Sequence, residues 1–351
     1  MIPREPIKLS GQSLFLSAAK RHKGSILIIA LWSLCLLSAF AVILNYQIRQ
    51  KLVLANRLDQ RDKLRFIAEA GIQKGIMELK NDPERTYDSL GDSWSNSPGA
   101  FKNINVGDGE VSLTYSYLDR KSGLLETGYG CVDEERKINI NKAELKVLER
   151  LFKIVLAGDE PQAQELAACI LDWRDADSEL SIPAGSAEYF YYSSLSFPYA
   201  AKNAEFEVPD ELLLVKGFTD NVFEKIKDYV TIYGGGRVNV NTASAVVLVA
   251  LGLDEDIAGK IILYRAGQDG VEGTLDDNVF VSDSEIVPRL AQVYPFSASQ
   301  IEQLNRVAAL FLVVRSNNFL IKATAKLSGR NSLVVSSVVK RDGKILYWRE
   351  D

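Results

Sequence analysis

The loop at residues 267–278, GQDGVEGTLDDN, carries the residue types that bind hard divalent cations. Ca²⁺ takes about six to eight oxygen ligands, which flexible acidic loops supply from carboxylates and backbone carbonyls. The spacing differs from that of an EF-hand, and a solvated acidic turn is the alternative interpretation. The expected ligands of a calcium site here are Asp269, Thr274, Asp276 and Asp277.

A second acidic cluster follows a predicted helix, at the end where the helix dipole already disfavours negative charge. Its members are Asp172, Asp175, Asp177 and Glu179. Such a cluster needs a cation, and two sources are open: the guanidinium of Arg174, or a metal ion shared with Glu188. The two acidic regions could form neighbouring sites, which would lose their ions more easily at low pH.

Catalytic arrangements of other kinds are missing from the sequence. The single histidine, His22, lies in the basic N-terminal segment, so a serine or cysteine nucleophile has no imidazole base and zinc lacks its usual ligand. The stretch Gly234-Gly235-Gly236 is not followed by the lysine and serine of a phosphate-binding loop, which leaves a flexible turn. We therefore expect a protein that is not an enzyme.

The charge distribution argues against nucleic acid as a partner. The 351 residues carry a net charge of −5, with 41 Lys and Arg against 46 Asp and Glu. Residues 1–24 hold five basic residues and one acid, which leaves the remainder with 36 basic and 45 acidic residues, a net charge of −9. Such a body does not attract a phosphate backbone. The hydrophobic fraction of 47% is enough for a folded core.

The cysteines leave two interpretations open. Cys35 lies within an apolar run, whereas Cys131 and Cys169 lie beyond it. The last two could form a disulfide in an oxidising compartment, or each could be a small core residue. Spacing alone does not decide, because it does not give the separation of the Cα atoms.

Residues 25–44 form an uncharged, mostly apolar run that predicts a transmembrane helix. At about 1.5 Å rise per residue, such a helix crosses a hydrocarbon core of about 30 Å. Lys20, Arg21 and Lys23 precede the run, so the positive-inside rule keeps the N-terminus in the cytoplasm and sends the rest across. No convincing small-x-small cleavage site follows the run, which disfavours its removal on the far side.

The helical pattern continues without proline to about Lys80, and Asn81-Asp82-Pro83 ends it. Alternating apolar residues then predict strands at both ends of the remaining chain. These strands are expected at 109–119, 319–327, 332–341 and 344–350, and Asp342-Gly343 is a hairpin signal between the last two. We expect an α+β fold in which the long helix packs on an antiparallel sheet.

Residues 138–310 predict an all-helical insert between these strands. A motif recurs in it at an offset of 100 residues, KININKAELKVLERL from Lys137 and RVNVNTASAVVLVAL from Arg237. Asn141 and Asn241 are expected as N-caps of the helices that follow. The repeats resemble helix-hairpin-helix modules, which hold phosphate with backbone amides, but the acids at their turns favour a packing role.

The N-terminal region resembles that of type IV pilins and type II secretion pseudopilins. The resemblance rests on a basic leader ending in Gly24, an apolar helix directly after it, and the amphipathic extension RFIAEAGIQKGIMEL. It implies cleavage by a prepilin peptidase between Gly24 and Ser25, methylation of the new N-terminus, and retention of the apolar helix as anchor and filament core. An uncleaved single-pass anchor is the alternative.

One position departs from the family's pattern. Ile29 would be the fifth mature residue, where most members carry glutamate. A carboxylate at that depth costs about 2–3 kcal/mol unless it is paired, and in a filament its partner is the N-terminal ammonium of the subunit ahead. A subunit at the tip has no subunit ahead of it, so Ile29 suits the tip of a filament.

The exported body resembles the K-type minor component of the general secretion pathway. The motifs that carry this resemblance are ILDWRDADSE, GSAEYFYYSSL, PYAAKNAEF, DELLLVKGFT, GGGRVNVNTASA and the terminal WRE, in that order. It implies a pilin-like fold with a helical insert, and a non-catalytic subunit that caps the pseudopilus tip, initiates assembly and helps to export folded proteins across the outer membrane. Related Gly-Asp loops bind calcium in other pseudopilins.

The same resemblance implies a location and a set of partners. The protein would be a single-pass protein of the bacterial inner membrane with a periplasmic body, and its partners would be I- and J-type minor pseudopilins, the major pseudopilin, prepilin peptidase and inner-membrane lipid, with no nucleic acid. Gly71 and Gly75 would allow close approach of a partner helix, or would merely touch the protein's own sheet. The competing interpretations are a type IV minor pilin for adhesion or DNA uptake, and a periplasmic enzyme on a signal anchor.

The expected domain organisation has six parts. They are a leader at 1–24, a transmembrane helix at 25–44, its periplasmic continuation at 45–82, the first part of the pilin-like domain at 83–137, the insert at 138–310, and C-terminal strands at 311–351.

Cleavage of the leader is a direct test of this interpretation. In membranes that contain prepilin peptidase, N-terminal sequencing should give a mature chain that starts at Ser25. In membranes without the peptidase the chain should start at Met1. An intact Met1 in both samples would remove the protein from the pilin class.

Overall fold

The computed structural model describes residues 25–84, 86–118, 123–157, 160–182, 185–327 and 332–351. The chain divides into two compact units, one ending at Gln60 and the other comprising Arg61–Asp351. Gly24 lies outside the described residues, so the expected cleavage bond does too. Ser25 is the first residue of helix α1, Ser25–Asn81.

The first unit consists of the N-terminal part of α1. Judged by length and composition, α1 is the one helix among the described residues that could cross a membrane. Its apolar side chains are exposed, Ile29 by 61%, and Cys35 is an exposed free thiol. Such a surface is stable in a lipid environment and not in water.

The second unit contains the end of α1 and a series of short helices. They are α2 (Pro98–Phe101), α3 (Leu145–Val155), α4 (Glu160–Arg174), α5 (Tyr189–Ser193), α6 (Asp220–Ile226), α7 (Ala245–Ala250), α8 (Glu255–Arg265), α9 (Ile286–Val293) and α10 (Ala298–Phe311). Single 3₁₀ turns lie at Glu134–Arg136, Pro209–Leu214 and Asp283–Glu285.

Twelve strands are present among the described residues. They are β1 (Ile104–Val106), β2 (Gly109–Leu113), β3 (Tyr115–Leu118), β4 (Leu125–Gly128), β5 (Val132–Asp133), β6 (Ile138–Asn139), β7 (Val230–Thr231), β8 (Val238–Asn239), β9 (Leu312–Val313), β10 (Asn318–Leu327), β11 (Ser332–Lys340) and β12 (Ile345–Glu350). The main sheet is antiparallel, with the order β1-β2-β10-β11-β12, and β5 also pairs with β10. Strands β3 and β4 form a separate hairpin.

The first core lies between α1 and the main sheet. Alternation along β10 places Phe319, Ile321, Ala323 and Ala325 on the buried face, as the sequence predicts. Gly71 and Gly75 face this sheet. A Cβ atom added at Gly71 would lie 2.6 Å from Val111 Cγ2, and one added at Gly75 would lie 2.8 Å from Ile321 Cδ1. Of the two roles proposed for these glycines, contact with the protein's own sheet is therefore the one observed.

The second core is formed by the insert. Buried aliphatic side chains of α3, α4, α7 and α8 make up most of it, and the aromatic rings of Phe152, Tyr192 and Phe280 are fully buried there. Cys169 belongs to this core, whereas Cys131 belongs to the core under the main sheet. Both are free buried thiols, so the core interpretation of the two cysteines holds and the proposed disulfide between them is not formed.

The α+β class with a long helix on an antiparallel sheet and a helix-rich insert is confirmed. The insert is not entirely helical, because β6 pairs with β7, and β8 with β9, in two short parallel ladders. Their two-residue length gave no alternating pattern to detect. The strand expected at 109–119 is divided at Thr114 into β2 and β3.

A valine at Gly75 tests the packing of α1 on the sheet. We expect the Gly75→Val variant to lose about 1–3 kcal/mol of unfolding free energy, because overpacking at this contact forces α1 and β10 apart. Gln73→Val is the control, since Gln73 is exposed on the same helix and pays only the small helix-propensity cost. Urea unfolding followed by circular dichroism measures both, and equal stability of the two variants would contradict the close approach.

Candidate metal centre

The acidic cluster forms where α4 ends. Asp172 is fully buried in the last turn of α4, and Glu188 is buried directly before α5. Stacked and edge-on rings hold these two segments together: Trp173 lies 5.2 Å from Tyr192 and 6.5 Å from Phe206, measured between ring centroids. The aromatic packing therefore places the carboxylates of Asp172 and Glu188 on the same side of the insert.

Several carboxylate oxygens of this cluster are buried without a hydrogen-bond partner. They are Asp172 Oδ2, Asp175 Oδ1 and both Oε atoms of Glu188. The other oxygen of Asp172 accepts a hydrogen bond of 2.9 Å from the Ser181 amide. Burial of an unpartnered anionic oxygen is costly, and a hard cation with oxygen ligands removes that cost. The donor set thus fits a calcium ion.

Arg174 does not supply the missing cation. Its guanidinium donates to the carbonyl oxygens of Ile140 and, at 2.6 Å, Ala143. Burial lowers the pKa of Arg174, and the nearby Asp175 opposes that shift. The sequence left two sources of positive charge open, the Arg174 guanidinium and a metal ion. The guanidinium binds backbone oxygens and not the unpartnered carboxylates.

Burial and repulsion between the carboxylates of this cluster raise the pKa values of two of its members. Desolvation, reinforced by the charges of Asp172 and Asp175, raises the pKa of Glu188 from 4.5 to about 7. Desolvation and the charge of Asp177 also raise the pKa of Asp175. A bound cation would reverse both effects, because it favours the ionised carboxylates.

The remaining predicted members of this cluster lie further out. Asp177 and Glu179 are exposed, and a carboxylate oxygen of Asp177 accepts a hydrogen bond of 2.8 Å from the Glu179 amide. The carboxylate oxygens of Asp172, Asp175 and Glu188 are not all within 4.8 Å of one another. A cation would therefore draw these side chains together or take further ligands from water and backbone carbonyls.

The Gly-Asp loop at 267–278 is closed by its own hydrogen bonds. Asp276 accepts from the amides of Gln268 at 2.7 Å and Asp269 at 3.0 Å and from the Thr274 hydroxyl at 2.7 Å. These bonds lower the pKa of Asp276 to about 2. Asp277 accepts from the Gly273 amide at 2.6 Å. All four predicted ligands lie in one loop, with the carboxylates turned to backbone amides.

Gly267 shows why this loop needs glycine. Its φ is +58°, and an added Cβ would lie 2.4 Å from the Asp276 carbonyl oxygen. A side chain at this position would therefore both strain the backbone and push the two ends of the loop apart.

The two acidic loops occupy equivalent positions in a repeated polar framework. Asn141 bonds in both directions with the backbone of Phe206, at 2.9 and 2.7 Å, and Asn241 does the same with Phe280, at 2.9 and 3.0 Å. Arg265 donates to the carbonyls of Val240 and Ala243, as Arg174 does to Ile140 and Ala143. In each half, the acidic loop lies between the arginine and the phenylalanine.

The expectation that Asn141 and Asn241 cap helices is wrong. The N-caps of α3 and α7 are Glu144 and Ser244, and the Ser244 hydroxyl accepts from the Val247 amide. The asparagines instead satisfy backbone groups of a distant strand-like segment, which a buried polar backbone requires. The repeat detected in the sequence is therefore structural, but it extends well beyond the matched 15 residues.

A third acidic group was not predicted. Among the described residues, one group of three acids has carboxylate oxygens that all lie within 4.8 Å of one another. It consists of Asp82, Asp88 and Asp92. Arg341 pairs with two of these carboxylates, Asp82 at 3.4 Å and Asp88, so one cation faces three acids. The three aspartates lie close together in the sequence, which is a local signal, but their partner Arg341 lies more than 250 residues away and gives no such signal. Asp92 instead accepts hydrogen bonds from the Ser89 amide at 2.9 Å and the Trp94 indole N–H at 3.0 Å.

Comparisons with known proteins agree with this architecture. The family model "Type II secretion system (T2SS), protein K" matches residues 124–235. Type II secretion system protein K of Aeromonas hydrophila is 27% identical over 67% of this chain and 72% of its own length. The protein of the same name from Pseudomonas aeruginosa is 26% identical over 87% of this chain and 85% of its own length.

A solved structure has the same fold. It comes from the GspK-GspI-GspJ complex of enterotoxigenic Escherichia coli, with a TM-score of 0.61, 17% sequence identity, and coverage of 84% of this chain and 97% of that one. The chain is thus similar in sequence to type II secretion system protein K, and it shares the fold of the solved structure.

Proposed function

We propose that this protein caps the tip of the type II secretion pseudopilus and, with other minor pseudopilins, initiates its assembly. Through that role it helps to export folded proteins across the outer membrane. Its part is structural rather than catalytic, because its one histidine lies in the leader and the sequence offers no nucleophile with an imidazole base.

The observation that carries the proposal is the residue at position 29. Ile29 stands in the apolar part of α1, where a glutamate would need the N-terminal ammonium of a subunit ahead of it. Isoleucine has no such requirement. A subunit that needs no partner ahead is suited to the leading position of a filament.

The insert supports the same position. It has its own core, to which helices α3 to α10 contribute, separate from the core under the main sheet. A body of this size would obstruct a subunit stacked above it. It is tolerated where stacking ends.

The exposed face of α1 within the second unit fits helix-to-helix contact with partners. Phe66 is 68% exposed and Met77 is 49% exposed, and they lie on a stripe away from Gly71 and Gly75. Large apolar side chains on such a stripe favour contact with a second helix. Since the solved relative is a complex with GspI and GspJ, the I- and J-type minor pseudopilins are the first partners, followed by the major pseudopilin.

Membrane processing completes the proposal. The protein is inserted in the inner membrane with its N-terminus in the cytoplasm and its body in the periplasm, cut by prepilin peptidase after Gly24, and methylated at Ser25. The exposed apolar surface of α1 up to Gln60 is unfavourable in water, which supports a lipid anchor before assembly.

Imaging of assembled fibres tests the tip position. A small tag after Asp351, detected by gold labelling, should mark one end of each pseudopilus. The same tag on the major pseudopilin should mark the whole shaft and serves as the control. Labels of this protein repeating along the shaft would contradict the proposal.

Calcium binding is the second part of the proposed function. The α4 cluster, with Asp172, Asp175 and Glu188, supplies buried oxygens without partners, and Asp177 and Glu179 are close enough in sequence to complete the ligand set. The loop with Asp269, Thr274, Asp276 and Asp277 is the equivalent place in the other half of the repeat. An ion at the first place would fix α5 to the end of α4.

Calcium should stabilise the protein through Glu188. We expect CaCl₂ to raise the melting temperature at pH 7.5, and Glu188→Gln to lose most of this increase. Glu302→Gln, an exposed carboxylate on α10 outside both loops, is the control. A calcium response that Glu188→Gln leaves unchanged would contradict the assignment of the ion to the α4 cluster.

The raised pKa of Glu188 gives the pH dependence. Without calcium, the folded state holds a proton on Glu188 up to about pH 7, whereas the unfolded chain releases it near pH 4.5. Stability of the calcium-free protein should therefore fall as pH rises from 4.5 to 7, and less so in Glu188→Gln. Calcium affinity should change in the opposite direction and fall as pH drops below 7. Thermal unfolding and calorimetric titration across this range measure both.

A further inference from the structure

A cavity of about 900 Å³ lies at the seam between the two cores of the second unit. The end of α1, the loop after β7, the segment before β10 and the turn between β11 and β12 form its walls. We call it the seam cavity. Neither the tip position nor calcium binding involves it.

Three basic side chains line the seam cavity without a carboxylate partner. Lys80, Arg315 and Lys340 are exposed, and none forms an ion pair with any residue in the described part of the chain. A Cβ atom added at Gly343 would lie only 2.5 Å from Lys80 Nζ, so glycine at this position leaves room for the ammonium group. The fourth cation, Arg341, is paired with Asp82 and Asp88.

The acids of the seam cavity do not cancel these charges. Asp82 is buried and paired with Arg341. Glu135 accepts three hydrogen bonds from Asn317 and Asn318, and its burial beside Asp133 raises its pKa to about 7. Asp342 is the remaining exposed acid. The rim is thus positive on a body that carries a net charge of −9 outside the leader.

Apolar and aromatic groups complete the walls. Leu79, Ile232 and Leu346 contribute aliphatic surface, and Tyr233 contributes a ring. The glycine-rich stretch singled out in the sequence forms one side, where a Cβ on Gly235 would meet nothing within 4 Å. A free inorganic anion would leave most of this volume and all of the aliphatic surface unused.

We propose that the seam cavity binds an acidic peptide segment of a partner protein, with its carboxylates on Lys80, Arg315 and Lys340 and its apolar side chains on Leu79, Ile232 and Leu346. Arginine and lysine give charge-assisted hydrogen bonds to carboxylates, and Lys80, Arg315 and Lys340 form no ion pair in the described part of the chain. Because the walls come from both cores, the bound segment joins the pilin-like sheet to the insert.

Fluorescence anisotropy on the full-length protein in zwitterionic detergent tests the proposal. The probe is a fluorescein-labelled short peptide that alternates glutamate and leucine, and its control alternates glutamine and leucine. We expect saturable binding of the glutamate peptide, weakened by salt, and much weaker binding of the glutamine peptide. Equal binding of the two peptides, or no saturable binding, would overturn the proposal.

Variants place the binding in the seam cavity. Arg315→Glu combined with Lys340→Glu should reduce affinity at least about tenfold, whereas Lys326→Glu, an exposed lysine of β10 outside the cavity, should leave it unchanged. Gly235→Trp should fill the cavity without changing charge and should also weaken binding. Unchanged affinity in both the double variant and Gly235→Trp would overturn the assignment.

Inorganic phosphate separates a peptide site from a simple anion site. If phosphate displaces the peptide at equal concentration, the site recognises a small anion and the peptide proposal is wrong. If phosphate acts only through ionic strength, as chloride does, the peptide proposal is supported. The melting temperature of each variant, measured in parallel, excludes loss of fold as the cause of weaker binding.

Discussion

The buried carboxylate of Asp133 is the interaction that joins the two cores. Asp133 lies in β5, which pairs with β10 of the main sheet, and its side chain accepts hydrogen bonds from Asn239 at 3.2 Å, Thr242 at 2.5 Å and Ser316 at 2.7 Å. Desolvation raises its pKa, and these donors oppose that shift. Displacing the insert would remove the hydrogen bonds from Asn239 and Thr242 and leave this buried carboxylate with fewer donors, which costs free energy. The insert is thus a fixed extension of the pilin-like unit.

Buried polar side chains also satisfy hydrogen-bonding groups inside the insert. Asparagine and arginine side chains satisfy the backbone of the short parallel ladders, and the buried Arg265 also pairs with Glu272. Arg174, at the equivalent place, bonds only to backbone oxygens among the partners seen in the described chain. The acidic residues around Arg174 therefore have no guanidinium partner, and Asp172 Oδ2 and both Oε atoms of Glu188 are left without hydrogen bonds.

Periodicity in the sequence located α1, β10, β11, β12 and most helices of the insert, because each buries one face and the pattern of that burial is local. The polar interactions were not accessible in this way. Asn141 precedes a predicted helix and is a residue type preferred at N-caps. Its side chain instead forms hydrogen bonds with the backbone of Phe206, 65 residues away. Asp133 and its partners are separated by up to 183 residues. The α4 cluster was accessible, since crowding of like charge at a helix end is itself a local signal.

The two acidic loops differ in what a cation would replace. In the loop at 267–278, the carboxylates of Asp276 and Asp277 already accept hydrogen bonds from their own backbone, so an ion would have to displace or share them. In the α4 cluster, Asp172 Oδ2, Asp175 Oδ1 and both Oε atoms of Glu188 have no hydrogen bonds to lose, and repulsion among these carboxylates opposes the metal-free state. A cation therefore gains more free energy at the α4 cluster, although the loop at 267–278 is better organised before binding. Equal ligand chemistry in two halves of a repeat thus does not imply equal affinity, and we expect the α4 cluster to fill first.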